Sequence, residues 1–247
     1  MTSIQSKQNV QIFERDVTMA GGYQYSNSDA DISKRFSNSR TSQAIASMAD
    51  FRDKRVLDLG CGDGTFTFEL LDFGAKFVLG VDPATTAIKH ATLQAEKAGV
   101  SDRLQFASCS VYDMGDSYGH FDIVMLRGVL HHLPDAEAAL KAVSPICDEI
   151  VIVEPNGCNP VLKLIEKFST YHIEHEEQSF MPRTINNWLL SARKTPVSTK
   201  MVNFVPLFCP PTLARLLKFL EPIVEAIPIV RLIGCGQYIV KASSIAR

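Results

Sequence analysis

The chain has 247 residues, of which 46% are hydrophobic and 21% charged, and its formal net charge is -2. This composition is that of an ordinary soluble globular protein with enough apolar mass for a sizeable core, so the length fits one large α/β domain or one domain with a small addition. This net charge does not indicate the basic surface that binds nucleic acid or an anionic membrane. It therefore argues against polymer substrates, unless a local patch is hidden in the average.

The N-terminal stretch and the cysteines indicate a cellular compartment. MTSIQSKQNVQIFERDV lacks the apolar core of a signal peptide, and no stretch of the chain approaches ~18 uncharged apolar residues. We therefore expect no secretion and no membrane span. The six cysteines form no C-x-x-C pair, which predicts reduced, mostly buried thiols in a cytoplasmic protein and no metal site.

The first 50 residues are predicted to form an N-terminal arm or lid. Residues 21–40 are rich in Ser, Asn and Asp, which is typical of a flexible segment or a lid over a site, and Thr41 to Ala49 looks helical. The family resemblance described below implies that this region closes over a bound cofactor, which makes Tyr23, Tyr25 and Arg40 candidate contacts, since aromatic faces attract cations and a guanidinium suits a carboxylate. The alternative is that these residues lie on the surface of a mobile arm.

A short apolar strand followed by a glycine-rich loop occupies Val56 to Gly64, which reads VLDLGCGDG. Glycine tolerates positive φ and has no Cβ, so Gly60, Gly62 and Gly64 allow a sharp turn and the close approach of a ligand. Thr65 to Phe73 should form the next helix, because its apolar residues recur at helical spacing. Strand, loop and helix together predict a Rossmann-like nucleotide-binding crevice.

The glycine spacing is G-x-G-x-G and not the G-x-G-x-x-G of dinucleotide-binding proteins, and Asp58 precedes the first glycine by two positions. This combination resembles the first motif of the class I methyltransferases, which bind S-adenosylmethionine and release S-adenosylhomocysteine. The resemblance implies that the loop of Gly60, Cys61 and Gly62 passes under the methionine part of the cofactor and that Asp58 helps to orient its ammonium group. A glycine-rich turn without a ligand is the alternative.

The second strand, Ala75 to Val81, ends at Asp82, which lies 22 positions after Gly60. A carboxylate at the carboxyl tip of a strand can accept hydrogen bonds from both hydroxyls of a ribose. Pro83 follows, and then a helix from Thr85 to Ala98. The methyltransferase family has an acid at this position that holds the adenosine ribose, so Asp82 and Pro83 are predicted to contact the cofactor.

The third strand, Leu104 to Ser108, is followed by the predicted adenine-binding loop. Many of the resembled enzymes carry an aspartate where this chain has Ser110, so the sequence departs from the family pattern here. Ser110 or Val111 is expected to contact adenine through a hydroxyl or the backbone, and Asp113 is a displaced alternative.

The fourth strand, Phe121 to Leu126, leads into RGVLHHLP, which resembles the corresponding segment of the small-molecule branch of the family. Leu126 and Arg127 should border the methionine end of the cofactor. His131 and His132 are candidate general bases, because histidine takes a proton near neutral pH. The alternative is that one packs between helix and sheet and the other lines the pocket.

The fifth strand, Ile150 to Val153, ends at a second polar tip. We expect Glu154 or Asn156 to shape the acceptor pocket. Residues 158–196 are predicted to form a helical cap insertion, in which His172 and His175 are further candidate bases. Their H-x-x-H spacing is compatible with a metal site, but the sequence shows no further residues at metal-ligand spacing. A solvated, charged helix without a metal is therefore favoured.

Val197 to Val205, Pro211 to Ala226 and Gln237 to Ala242 complete the pattern as a strand, a helix and an antiparallel last strand. Alternating strands and helices predict an α/β, Rossmann-like, doubly wound seven-stranded sheet. The family resemblance implies the strand order 3-2-1-4-5-7-6. We expect a single domain over 1–247, divided into the arm (1–50), the cofactor-binding core (51–157), the cap insertion (158–196) and the last strands with their helix (197–247).

These features predict an S-adenosylmethionine-dependent methyltransferase that acts on a hydroxyl oxygen of a small-molecule acceptor. N- or C-methylation, or a binding module without turnover, are the alternatives, and the glycine spacing opposes a nicotinamide-dependent oxidoreductase. No nucleic-acid partner is expected, because neither a basic patch nor the D/N-P-P-Y/F tetrad of base-methylating enzymes is present. The oligomeric state stays open.

Overall fold

The structure is a computed structural model that describes residues 31–168, 178–207 and 209–244. Seven strands form one sheet, and helices cover both of its faces. The strands are β1 Arg55–Leu59, β2 Phe77–Asp82, β3 Leu104–Ser108, β4 Phe121–Arg127, β5 Cys147–Pro155, β6 Lys194–Val202 and β7 Gln237–Ser244. The helices are α1 Ile32–Met48, α2 Thr65–Asp72, α3 Thr85–Lys97, α4 Ala136–Val143, α5 Pro160–Phe168, α6 Pro182–Ser191, α7 Pro211–Ala226 and α8 Pro228–Gly234.

The strand order is β3-β2-β1-β4-β5-β7-β6, which confirms the predicted α/β, doubly wound topology. Strands β1 to β5 are parallel to one another, and β7 runs antiparallel to β5 and to β6. In this register Leu59 lies beside Val81 on one side and beside Leu126 on the other. The carboxyl tips of β1, β2 and β4 therefore meet at one edge, where open α/β sheets bind their ligands.

Alternate residues of the central strands fill two separate apolar layers. Leu57 and Leu59 of β1 pack with α4 and α6 on one face of the sheet. Val56, one position away, packs on the other face with residues of α1 and α2. Side chains in a strand point alternately to opposite faces, so a continuous apolar run such as that of β1 is buried on both. The sheet is thus held rigidly beneath the edge that carries the loops.

Several predicted boundaries differ from the structure; β5, for example, spans Cys147–Pro155 and not only Ile150 to Val153, and two of the differences have a clear physical cause. The N-terminal helix begins at Ile32 and not at Thr41, because the Asp31 carboxylate caps it by accepting hydrogen bonds from the amides of Ser33 (2.9 Å) and Lys34 (3.4 Å). Residues 32–40 are therefore helical where a flexible segment was expected. The sixth strand is Lys194–Val202, three residues earlier than predicted, and it carries a register shift after Pro196, which has no amide hydrogen for the ladder.

No helix in the described part of the chain combines the length and the apolar character needed to cross a bilayer.

Candidate cofactor site and active site

The loop after β1 is fastened over the tip of β2. The amides of Gly60 and Cys61 both donate to the carbonyl oxygen of Val81, at 2.8 and 3.1 Å. Gly60 has a φ of 73°, and a Cβ built on it would lie 2.6 Å from Cγ2 of Val129 in the loop after β4. Any side chain at this position would be strained and would collide with Val129, so the sequence needs glycine here.

Asp82 spans from the tip of β2 to the glycine loop. One carboxylate oxygen accepts a hydrogen bond from the amide of Gly62 (3.0 Å), and the other accepts one from the amide of Ala84 (2.8 Å). The residue is buried, and this burial raises the pKa of Asp82. Each carboxylate oxygen can accept a further hydrogen bond, so the group is held rigidly in a form suited to two hydroxyl donors.

Asp58 lies beneath the glycine loop and is buried. Its carboxylate accepts a 2.6 Å hydrogen bond from the hydroxyl of Thr67 in α2, a partner that the sequence reading did not identify. Burial raises the pKa of Asp58 to about 6, whereas the Thr67 hydrogen bond and the nearby positive charge of Arg127 act in the opposite direction. Without a ligand cation the chain therefore bears a cost for ionising this carboxyl group.

The raised pKa of Asp58 predicts a stability that depends on pH. Because the folded-state pKa is about 6 and the ordinary value is 3.8, the folded chain holds a proton in that interval that the unfolded chain has lost. The free energy of unfolding should fall as the pH rises through this window. Asp58→Asn removes the ionisation, so the variant should be more stable than the parent near neutral pH by up to about 3 kcal/mol. Urea denaturation at the two ends of the window measures this difference.

Asp122→Asn is the matched control for that measurement. The Asp122 carboxylate accepts a 2.7 Å hydrogen bond from the amide of Arg55, and this bond lowers the pKa of Asp122. Its replacement should therefore destabilise the protein near neutral pH, the opposite of the effect at Asp58. An Asp58→Asn variant whose stability relative to the parent is the same at both ends of the window would show that Asp58 ionises normally in the folded chain.

Arg127 ends β4 and lies between α1 and α2. Its guanidinium donates to the carboxylate of Glu69 (3.0 Å) and to the hydroxyl of Ser42 (3.2 Å), and it lies 3.6 Å above the ring of Phe66. Burial lowers its pKa. The neighbouring Leu126 is fully buried in the sheet. The predicted contact of Arg127 and Leu126 with the methionine end of the cofactor stays a prediction, and Arg127 also joins the N-terminal helix to the glycine-loop helix.

Of the candidate site residues in the N-terminal arm and the cap insertion, the structure describes only Arg40. The guanidinium of Arg40 forms an ion pair with Glu225 of α7, with Nε 3.1 Å from a carboxylate oxygen. Its predicted role toward the cofactor carboxylate stays a prediction. Tyr25, His172 and His175 lie outside the described residues, as does Tyr23.

The loop after β3 adjoins the Asp82 segment. The amide of Cys109 donates to the backbone oxygen of Asp82 (3.2 Å), and the hydroxyl of Ser108 lies 3.4 Å from the backbone oxygen of Pro83. Ser110 caps a short 3-10 turn by accepting from the amide of Tyr112 (3.3 Å), and Val111 is buried. Adenine contact by Ser110 or Val111 stays a prediction, and the adjacency of these two loops supports it.

Glu154 holds the loop that carries the histidine pair. One oxygen of this buried carboxylate accepts from the amides of Val129 (2.8 Å) and Leu130 (2.7 Å). The other accepts from the amide of His131 (3.3 Å) and lies 2.7 Å from Nδ1 of the same histidine. The predicted acceptor-shaping role of Glu154 stays untested. What the structure shows is that its carboxylate fixes the loop after β4 and orients the His131 ring.

His132 and Asn156 complete the polar groups at this edge. The rings of His131 and His132 lie against each other with centroids 3.8 Å apart. The Asn156 amide group donates to the carbonyl oxygens of Leu232 (2.7 Å) and Cys235 (2.9 Å), so it ties the tip of β5 to the end of α8. Its predicted contact with an acceptor likewise stays a prediction.

Within the described ranges, no group of three or more His, Cys, Asp or Glu side chains is arranged to hold a metal ion.

A seven-stranded sheet with an antiparallel seventh strand, a glycine loop after β1 and an acid at the tip of β2 define the class I methyltransferase fold. Comparison with known proteins agrees with this geometry. Residues 56–148 match the family model described as a methyltransferase domain. Those residues include the glycine loop, Asp82, the loop after β3, and His131 and His132.

Two curated relatives and one solved structure extend the comparison. The ubiquinone biosynthesis O-methyltransferase of Neisseria meningitidis serogroup C (strain 053442) is 34% identical over 110 residues, which are 44% of this chain and 43% of that protein. The tRNA U34 carboxymethyltransferase of Helicobacter pylori (strain G27) is 30% identical over 100 residues, 40% of this chain and 38% of that protein. The crystal structure of the [4+2]-cyclase SpnF superposes with a TM-score of 0.71 at 16% identity, over 98% of this chain and 97% of that one.

The chain thus spans under half the length of the curated relatives it matches. Residues 56–148 match a methyltransferase domain, and the fold is that of the class I methyltransferases, the class whose cofactor is S-adenosylmethionine.

Proposed function

We propose that the whole chain is an S-adenosylmethionine-dependent methyltransferase that transfers a methyl group to a hydroxyl oxygen of a small-molecule acceptor. The observation that carries the proposal is the Asp82 carboxylate, fixed by the amides of Gly62 and Ala84 beside the glycine loop. Gly60 and Gly62 both have positive φ, which gives the loop the sharp turn that brings its backbone beside this carboxylate. These are the groups that the adenosine and methionine parts of the cofactor require.

Different residues would bind the ribose, the adenine and the ammonium group of this cofactor. Asp82 would accept hydrogen bonds from the ribose hydroxyls, and the loop of residues 108–111 would border the adenine. Asp58, whose pKa is raised by burial and lowered in part by the nearby charge of Arg127, would lie on the side of the cofactor ammonium group. When bound, S-adenosylmethionine supplies a methyl group attached to a sulfonium, a good leaving group that needs no further activation by the protein.

The chain must then hold the acceptor and take a proton from it. Methyl transfer is an in-line displacement, so the acceptor oxygen has to be positioned roughly 3 Å from the methyl carbon. We assign the removal of the acceptor hydroxyl proton to His131, whose ring is oriented by Glu154. In the tautomer that donates the Nδ1 hydrogen to Glu154, Nε2 is the ring nitrogen that would take this proton. Glu154 would also stabilise the imidazolium once the proton has moved.

The choice of acceptor rests on chemistry and on one relative. The ubiquinone biosynthesis O-methyltransferase supports oxygen as the acceptor atom. The similarity to a tRNA carboxymethyltransferase is an argument for a nucleic-acid acceptor. The [4+2]-cyclase has the same fold but its name describes a different reaction, so the fold alone does not assign methyl transfer. N- or C-methylation and a binding role without turnover are therefore the competing assignments, and only an assay of turnover separates them.

Two measurements test the proposal in order. Calorimetry should show binding of S-adenosylhomocysteine and no binding of nicotinamide dinucleotides. Incubation of the full chain with S-adenosylmethionine and a pool of phenolic and other hydroxylated small molecules should then release S-adenosylhomocysteine. Cofactor binding without release for hydroxyl, amine or tRNA acceptors would replace the proposal with a binding role.

His131→Gln tests the assignment of the base. The variant should lower kcat by about 100-fold or more, because general-base catalysis contributes on the order of 10² to 10⁴ in rate. Its affinity for S-adenosylhomocysteine should stay unchanged. His120→Gln is the matched control, since His120 is exposed and pairs with Asp148 away from the site. Unchanged kcat in His131→Gln would remove this histidine from the mechanism.

A further inference from the structure

Helix α7 turns its acidic side chains inward and its large apolar side chains outward. Glu221 is buried and accepts from the amide of Phe204 (3.2 Å), and Glu225 pairs with Arg40 of α1. The outward side chains are large and apolar, and Phe219 is 78% exposed. They follow one another at helical spacing: Leu213, Leu216, Phe219 and Ile223. A helix of a globular protein normally shows the reverse arrangement, with its apolar face toward the core.

Helices α8 and α5 also carry large exposed apolar side chains. Neither has a buried residue, and Ile229 of α8 and Phe168 of α5 are 75% and 73% exposed. Asn159 joins the two helices, because its side chain accepts from the amide of Val161 at the start of α5 and donates to the carbonyl oxygen of Cys235 at the end of α8. We call the outward apolar side chains of α5, α7 and α8 the apolar surface. Contiguous exposed apolar patches of this kind mark interaction sites.

The apolar surface lies beside the ligand-binding edge of the sheet. Pro155 at the carboxyl tip of β5 pairs with Gln237 at the start of β7. Helix α5 follows that tip and α8 precedes that start, so both helices stand at the same edge as the glycine loop. Whatever covers the apolar surface is therefore brought close to the crevice.

The exposed charges of these three helices are positive. Their three carboxylates are all engaged: Glu166 accepts from the amide of Ser179 and from Lys163, and Glu221 and Glu225 face inward. In contrast, the side chains of Lys167, Arg215 and Arg231 are exposed. The net charge of -2 for the whole chain hides this local excess. Amphipathic helices with an apolar face bordered by Lys and Arg lie in the plane of anionic membranes.

We propose that the apolar surface docks in the plane of an anionic phospholipid bilayer. The apolar side chains enter the boundary between headgroups and acyl chains, and Lys167, Arg215 and Arg231 pair with lipid phosphates. This is attachment to one leaflet and not a span. It does not depend on methyl transfer, since no residue of the cofactor site takes part in it.

Charge favours the bilayer over a second copy of this chain. A two-fold dimer through the apolar surface would place equal sets of exposed cations opposite each other, because a two-fold interface uses the same patch on both subunits. Like charges brought together across an interface are unfavourable. An anionic lipid surface provides the complementary charge along with the apolar environment.

Flotation of the full chain with vesicles tests the proposal. The protein should float with vesicles of equal parts phosphatidylcholine and phosphatidylglycerol and stay in solution with pure phosphatidylcholine. Phe219→Asp should weaken vesicle binding by about tenfold or more, because it places a charge in the apolar layer. Arg215→Gln combined with Arg231→Gln should weaken it by roughly 30-fold, and added salt should reduce binding of the parent.

Matched controls keep the test specific. Leu93→Asp changes an exposed apolar side chain on α3, and Lys76→Gln with Lys89→Gln removes two exposed cations elsewhere. Both controls should float like the parent, and all variants should bind S-adenosylhomocysteine normally, which shows that they are folded.

Failure of the parent to float with anionic vesicles would overturn the proposal. In that case sedimentation equilibrium would show what covers the apolar surface. If the parent is a dimer and Phe219→Asp is a monomer, a second copy of the chain covers it. If the parent is a monomer, the surface is covered by another segment of this chain or by another protein.

Discussion

Replacing Glu154 with alanine should lower the free energy of unfolding by about 3 to 5 kcal/mol, because it removes a buried carboxylate that serves several donors at once. The amides of Val129, Leu130 and His131 and the His131 ring all lose their acceptor. These groups lie where water does not readily replace the carboxylate, since Glu154 is buried. Urea denaturation of the parent and the variant measures the difference.

Glu154→Gln and Glu149→Ala make this result interpretable. The glutamine keeps the shape and one carbonyl acceptor, so it should fold and lose less stability than the alanine variant. Glu149 is a partly exposed carboxylate of the same strand that pairs with Lys241 at 3.1 Å, and its removal should cost less than about 1 kcal/mol. Equal losses in Glu154→Ala and Glu149→Ala would show that the carboxylate does not hold the loop after β4.

The same Glu154 variants also separate two roles of this carboxylate. If Glu154 only holds the loop, Glu154→Gln should leave the pH profile of turnover unchanged while it lowers stability. If it also stabilises protonated His131, the profile should shift, because the amide cannot balance an imidazolium charge. The second result is the one that the 2.7 Å contact with Nδ1 predicts.

The sequence alone predicted the elements whose signals are local. The glycine loop, the acid at the tip of β2 and all seven strands follow from short apolar runs, glycine positions and helical spacing, which need only neighbouring residues to be read. The strand order was implied by the family resemblance and is confirmed by the pairing of β7 between β5 and β6. The cap at Asp31 was also a local signal, and it could have placed the start of α1 correctly.

The contacts that define the site could not be read in the same way. Glu154 reaches amides 23 to 25 positions earlier in the chain, and Arg40 pairs with a residue 185 positions later. Both residues had been predicted to face ligands, because a polar side chain at a strand tip or in a lid has no local partner visible in the sequence. Such partners appear only when the parallel sheet brings separate tips to one edge.

Composition is also a poor guide to local charge, as the apolar surface shows. A net charge of -2 argued against an anionic membrane, yet the carboxylates of α5, α7 and α8 are turned inward or paired while their cations are exposed. An average over the chain cannot report which face of a helix is solvated. The inverted pattern of α7 becomes visible only when the inward partners of Glu221 and Glu225 are known.

Asp82→Ala should weaken the binding of S-adenosylhomocysteine by about 3 kcal/mol, roughly two orders of magnitude, since it removes charged hydrogen bonds to the ribose. The structure adds a second reason for a large effect. The same carboxylate fixes the amides of Gly62 and Ala84, so its loss also frees the glycine loop that the cofactor must meet in one conformation. Calorimetry with the full chain gives both the affinity and the binding enthalpy.

The two contributions can be separated by comparing substitutions. Asp82→Asn keeps one oxygen for the loop or the ribose and should fall between the parent and Asp82→Ala, while Asp102→Ala, at an exposed position after α3, should bind like the parent. If the loss came only from a loosened loop, adenosine and S-adenosylhomocysteine would lose different amounts of affinity, since adenosine does not contact the methionine side. Equal losses for the two ligands place the effect at the ribose. Undiminished affinity in Asp82→Ala would mean that the ribose is held elsewhere and that this strand tip only shapes the loop.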